Sequence, residues 1–147
     1  MAFIHDGIHD TQTHLIAPPF FYEQLRRELL LTQRTSLPFS IIRIEIKPFA
    51  QDLQISDLQI LLFAQELTKI TRGQDCVARI GLHEFLILLR CSSVAADLLV
   101  NRIHSSKALL AHSALRVSTS LVSSCAGESG LELLNRLDQE ILSTELP

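Results

Sequence analysis

The sequence predicts one α+β domain, with a central mixed, mostly antiparallel sheet of about five strands flanked by helices. Its 147 residues suit a single domain. Apolar positions recur with a helical period in some segments and alternate with period two in others. Two apolar runs, residues 76–80 and 85–89, are separated only by Gly81-Leu82-His83-Glu84, the spacing of an antiparallel hairpin. The resulting order is helix, strand, helix, strand, strand, helix, strand, helix. Helical crossovers of that length close a split βαβ core.

Each element has its own signal. Pro18 and Pro19 punctuate the chain after His14-Leu15. Over residues 20–34, Phe21, Leu25, Leu29 and Leu30 recur at helical spacing, while Glu23, Arg26, Arg27 and Glu28 fill the wet face. Pro38 blocks further helix. Residues 39–47 alternate instead: Ile42, Ile44 and Ile46 point one way, Arg43, Glu45 and Lys47 the other, which puts Glu45 near the strand's C-terminal end. Ser56 or Asp57 caps the next helix, which carries Leu58, Leu61, Leu62, Leu67 and Ile70. Gly73 is expected as its left-handed terminator, with Arg72 in the last turn where a cation suits the helix dipole. The second arm of the hairpin is apolar on both faces. A helix over 94–110, a strand over 115–122, a turn at 127–130 and a last helix over 131–142 complete the order.

Composition narrows the function. Apolar residues make up 47% of the chain, charged ones 20% and aromatic ones 5%, with a net charge of −3. A chain of this size hides roughly 70% of the surface its unfolded form exposes, so its core needs no metal or disulfide staple. Nothing approaches 18 consecutive apolar residues, so membrane insertion is not expected. The opening Met1-Ala2-Phe3-Ile4-His5-Asp6 lacks the basic-then-apolar order of a secretory leader, and a cytoplasmic location is expected. Thirteen Lys and Arg against 16 Asp and Glu give no basic surplus for nucleic acid. Cys76, Cys91 and Cys125 form no CxxC and read as reduced thiols rather than a zinc site.

Several segments in succession carry a likeness to a known family. Ala78-Arg79-Ile80-Gly81-Leu82-His83-Glu84-Phe85-Leu86-Ile87-Leu88-Leu89 resembles the ARxGGDEFxxLL hairpin of diguanylate cyclase domains. His9-Asp10-Thr11-Gln12-Thr13-His14-Leu15 is similar to that family's HDxLTGL, and Glu45-Ile46-Lys47-Pro48-Phe49 to its DxDxF. Ser56-Asp57 with Ile60, Ala64 and Leu67 fits the following helix, and Leu133-Leu134-Asn135-Arg136-Leu137-Asp138 resembles the closing LLxRAD. The resemblance implies a nucleotidyl-cyclase-like fold over residues 17–147, with residues 1–16 as a linker leading into it. In active members two such domains meet, each bringing one GTP, and metal ions assist their joining into cyclic di-GMP. That chemistry needs hard carboxylate ligands and a backbone bare enough to touch phosphate.

Here the catalytic letters depart from the family. Glu45 stands for the first metal carboxylate and His83 for the second, though imidazole is a poor Mg²⁺ ligand. Leu82 replaces the second glycine, leaving Glu84 as the surviving acidic letter of the signature. The phosphate-facing lysine becomes Ala50, and Leu53 lies near the place of a guanine-reading asparagine. Asp57 keeps the other guanine contact, while Gln12, His14 and Ala17 replace Leu, Gly and Asn. The expectation is a degenerate domain that is not an enzyme, needs no cofactor and holds no Mg²⁺. Glu45 and His83 are then a polar strand end and a turn histidine.

The family's regulatory RxxD is retained. Arg72-Gly73-Gln74-Asp75 stands six residues ahead of Gly81, and Arg102 matches a further arginine of that site within one gap. An arginine fork takes guanine O6 and N7 or a phosphate, and an aspartate accepts from guanine N1 and N2. The expected ligand is cyclic di-GMP, bound by Arg72, Asp75 and Arg102. The same residues also read as an ordinary helix terminus, and the alternative function is a nucleotide-free protein-interaction or dimerisation module. A protein partner or homodimer is expected under either reading. His5 and His9, spaced for one face if helical, and Ser123-Ser124-Cys125 read as terminus and turn rather than as metal or nucleophile sites.

Overall fold

The computed structural model describes residues 3–107, 109, 115–140 and 142–144. Its elements are α1 (Pro18–Thr35), β1 (Ser40–Pro48), α2 (Asp57–Ile70), β2 (Cys76–Gly81), β3 (Glu84–Leu89), α3 (Ser93–Ser105), β4 (Leu115–Ser123), α4 (Gly130–Gln139) and β5 (Ser143–Thr144). The strands lie in the order β2-β3-β1-β4-β5, so the alternating β1 is the middle of the sheet. Every neighbouring pair is antiparallel, which corrects the expected mixed sheet. The reason is the split βαβ arrangement itself. β1 and β2 run the same way but β3 lies between them, and β3 and β4 run the same way with β1 between. Among the described residues, parallel pairing occurs only at the isolated Ile16–Ala78 bridge.

Alternation in the strands divides the core into two layers. Ile42, Ile44, Ile46, Phe85 and Ile87 pack against Ile60, Phe63 and Leu67 of α2 and Ala96, Leu99 and Ile103 of α3. Ile41, Leu86, Leu88 and Val122 pack on the other side against Phe21 and Leu25 of α1 and Leu133 and Leu137 of α4. β3 is buried on both faces, as its composition predicts.

Several local expectations need correction. In α2 the buried stripe is Ile60, Phe63, Ala64 and Leu67, while Leu58 is 63% exposed. Apolar residues surround this helix, so periodicity alone leaves its phase open. The capping box between Ser56 and Gln59 sets where it begins. Leu30 of α1 is exposed and Glu28, expected on the wet face, is buried. α3 stops at Ser105 because Ser106 turns extended, and residue 110 lies outside the described residues. α4 ends at Gln139, three residues before its expected limit, because Glu140 is extended and leads into β5 beside β4.

The segment ahead of α1 is folded onto the sheet edge. Arg79 of β2 is 1% exposed and Asp10 is fully buried. Nη1 of Arg79 pairs with Oδ2 of Asp10 at 3.0 Å and donates to Oε1 of Gln12 at 2.8 Å. The same Asp10 oxygen accepts from the N–H and the hydroxyl of Thr13 at 2.8 and 2.6 Å. The Phe3 ring lies 5.2 Å from the Arg79 guanidinium carbon, within cation–π range. His5 and His9 are not helical: they form isolated bridges with Asp10 and Ile16. Removing one member of a buried pair strands the other, at a cost of about 3–5 kcal/mol. Asp10→Ala is expected to lower the unfolding free energy by that much, read from the urea midpoint at unchanged m-value.

Candidate functional site

At one end of β1 the sequence-predicted catalytic positions come together. Glu45 lies directly opposite Glu84 in the β1–β3 register. Two carboxylates so placed repel, and neighbouring cations relieve them. Arg43 Nε donates to Oε1 of Glu84 at 2.7 Å, and its Nη2 lies 3.9 Å from Oε2 of Glu45. Lys47 Nζ approaches the other Glu45 oxygen at 3.5 Å. The acidic pair is therefore neutralised by two cations of β1.

Leu82 and His83 form the turn of the β2–β3 hairpin, after a register shift between Arg79 and Gly81. Arg79 Nη2 donates to the Leu82 carbonyl at 2.8 Å, and the Ile46 N–H donates to the His83 carbonyl at 3.0 Å. The turn is thus pinned from both β2 and β1. The Leu82 side chain is 40% exposed. Partial burial, reinforced by the Arg79 charge, holds the His83 imidazole below its ordinary range. Among the described residues, no group of three or more His, Cys, Asp and Glu side chains is placed to hold a metal. Asp57 sits exposed in the first turn of α2.

On the α3 side of the sheet, Arg72, Asp75 and Arg102 do converge. They line one open cleft of about 90 Å³, together with Arg90, Cys91 and Leu99. The α2 terminus differs from expectation. The helix ends at Ile70, Thr71 is extended, and Gly73 is not left-handed; the left-handed glycines are Gly7 and Gly127. Asp75 closes the turn instead. Its Oδ2 accepts from the Arg72 N–H at 2.8 Å, and its own N–H donates to the Arg72 carbonyl at 3.0 Å. The pairing uses the backbone of Arg72, so its guanidinium makes no ion pair among the described residues, nor does that of Arg102.

The far wall is fixed through β1. Ser40 Oγ donates to the Cys91 carbonyl at 2.9 Å, and the Ser92 hydroxyl caps α3. Ala95, Leu99 and Arg102 then recur on the cleft side of that helix. Burial first, then the Asp75 charge, push the Cys91 thiol up, partly offset by Arg72, so it stays protonated at neutral pH. The fourth charged residue, Arg90, was not legible as a site residue. Its only signal is a basic residue directly after an apolar strand. Arg72 and Asp75 also border a second groove of about 260 Å³ with His9 and His14.

The model of the diguanylate cyclase GGDEF domain matches residues 7–141. The chain belongs to the GGDEF family. No curated protein sequence matches it. Among solved structures, it is similar to a microbial GGDEF domain described in an interaction with cyclic di-GMP, at TM-score 0.76 and 22% identity over 89% of this chain and 85% of that one. It is also similar to the GGDEF domain of DgcB from Caulobacter crescentus in complex with c-di-GMP, at TM-score 0.77 and 18% identity over 94% and 87%. A third is diguanylate cyclase SiaD in complex with its activator SiaC from Pseudomonas aeruginosa, at TM-score 0.75 and 20% identity over 88% and 55%. At such identities the likeness speaks for the GGDEF fold alone.

The His83 environment has a measurable consequence. A histidine whose folded pKa is depressed binds its proton more readily unfolded, so its stabilising share is full above about pH 6.5 and lost as pH falls through the folded value. The unfolding midpoint is expected to drop between pH 7 and pH 5, and His83→Gln to flatten that slope.

Proposed function

We propose that this GGDEF domain is a cyclic di-GMP receptor that does not itself make the messenger. The observation that carries the reading is the convergence of Arg72, Asp75 and Arg102 on one cleft, with both guanidinium groups free of ion pairs among the described residues. Two arginines suit a ligand with two phosphodiester charges and two guanine edges. The unused oxygen of Asp75 suits guanine N1 and N2 donors. The alternative, an interaction module without ligand, predicts a substantial protein–protein contact and allows an Arg72 guanidinium self-paired with Asp75. The carboxylate bonds the Arg72 backbone instead, which favours the receptor.

Three features support a silent catalytic end. The carboxylates that would serve a divalent cation, Glu45 and Glu84, are engaged by Arg43 and Lys47. His83 offers a neutral nitrogen where a hard oxygen is needed. Leu82 adds a side chain where phosphate approaches bare glycine backbone. This donor set does not fit Mg²⁺.

Titration calorimetry tests the receptor. Cyclic di-GMP is expected to bind, and Arg72→Ala to weaken it by about 1.5–3 kcal/mol, the usual worth of a hydrogen bond to a charged group. Undetectable binding at high micromolar ligand, or affinity untouched by Arg72→Ala, overturns the reading. Incubation with GTP and Mg²⁺ or Mn²⁺ is expected to leave GTP unconverted by chromatography. A cyclic di-GMP peak there would show the catalytic end to be alive.

A further inference from the structure

Arg90 follows β3 directly and lines the cleft together with Arg72 and Asp75. No motif of the family resemblance assigns it a role. Its Nε donates to Oε1 of Glu28 on α1. The two ends of this bond differ sharply in exposure: the Glu28 side chain is 9% exposed and that of Arg90 is 64% exposed. Glu28 is buried on the same helix as Phe21 and Leu25. A carboxylate there needs a paired cation, and Arg90 supplies it.

The pairing uses one edge of the guanidinium. Arginine carries five N–H donors in a planar fork, and the bond to Glu28 takes only the Nε one. Nη1 and Nη2 make no hydrogen bond among the described residues. A long arm that is anchored at Nε has already lost much of the rotamer freedom that binding would otherwise cost. Glu28 thus fixes one edge of the guanidinium and leaves its two-nitrogen edge open to solvent.

The cleft's dimensions give such an arm a purpose. At about 90 Å³ it is far smaller than the roughly 300–1,000 Å³ of an enclosing ligand pocket. A cyclic dinucleotide bound there would lie across the rim, within reach of the long side chains that border it. Three of those are arginines, and the carboxylate facing the same space is Asp75. A third guanidinium offsets that carboxylate against a ligand with two negative charges.

We propose that Arg90 is a third ligand-binding arginine of the cleft, presented by Glu28 to a phosphate of the bound cyclic dinucleotide. The assignment rests on the receptor reading above. Arg90 is the contact, and Glu28 is a positioning residue that acts through it. Because Glu28 belongs to α1, ligand contact at the cleft is also tied to the seating of that helix.

Calorimetry with cyclic di-GMP at low and high salt tests this on the full chain, alongside thermal melts. Arg90→Ala is expected to weaken binding about tenfold, as for one charge-assisted contact, and to flatten its salt dependence. Arg90→Lys keeps the charge but loses the fork, and is expected to fall between. Glu28→Ala is expected to weaken binding, and Glu28→Gln, which still accepts from Nε, to restore it. Because Arg90→Ala leaves Glu28 buried without its partner, the double variant Arg90→Ala/Glu28→Gln keeps the fold testable. If wild type binds and Arg72→Ala weakens it, yet this double variant binds as wild type does, the Arg90 assignment falls and the receptor reading stands. If wild type does not bind, both fall.

Discussion

The buried ion pair between Asp10 and Arg79 organises everything built on this sheet. With neither side chain more than 1% exposed, the two charges persist only because each is neutralised and hydrogen-bonded in place. Arg79 reaches in two directions from β2. Through Asp10 it clamps the segment that leads into α1, and through the Leu82 carbonyl it sets the hairpin turn. The start of α1 follows, since the Ala17 N–H bonds the Ile8 carbonyl and the Phe21 N–H bonds that of Ala17. Where α1 lies decides where Glu28 is buried, and Glu28 holds Arg90.

The two ends of the molecule spend their charges differently. At the end of β1, Arg43, Glu45, Lys47 and Glu84 satisfy one another within the sheet. Little electrostatic potential is left there for an incoming ion. At the cleft, Asp75 stabilises its turn through backbone groups, and the guanidinium groups of Arg72 and Arg102 make no ion pair among the described residues. That contrast underlies the separation of messenger binding from messenger synthesis proposed for this domain.

Legibility followed the strength of the local code. Alternation in residues 39–47 made β1 plain, and the two apolar runs around Gly81-Leu82-His83-Glu84 made the hairpin plain. Helix ends were harder. The α2 terminus was expected to use Gly73, but an aspartate three residues past Arg72 closes the turn without a left-handed residue. The α2 face is ambiguous in the sequence because apolar residues make up more than half of that helix. β5 was anticipated only as a strand count, since two residues of serine and threonine carry no period.

The linear order of residues determined the element types, the hairpin, the one-domain scale and the positions whose letters differ from the family signature. These are local or cumulative properties, read from period, turn chemistry and side-chain identity. Tertiary structure alone decided which charges meet. Asp10 meets Arg79 across 69 positions, and Glu28 leaves the wet face of α1 to pair with Arg90 across 62. Periodicity places a residue on a face of its own element. What that face meets depends on how the layers pack, because a charge can be buried only when a distant partner arrives to neutralise it.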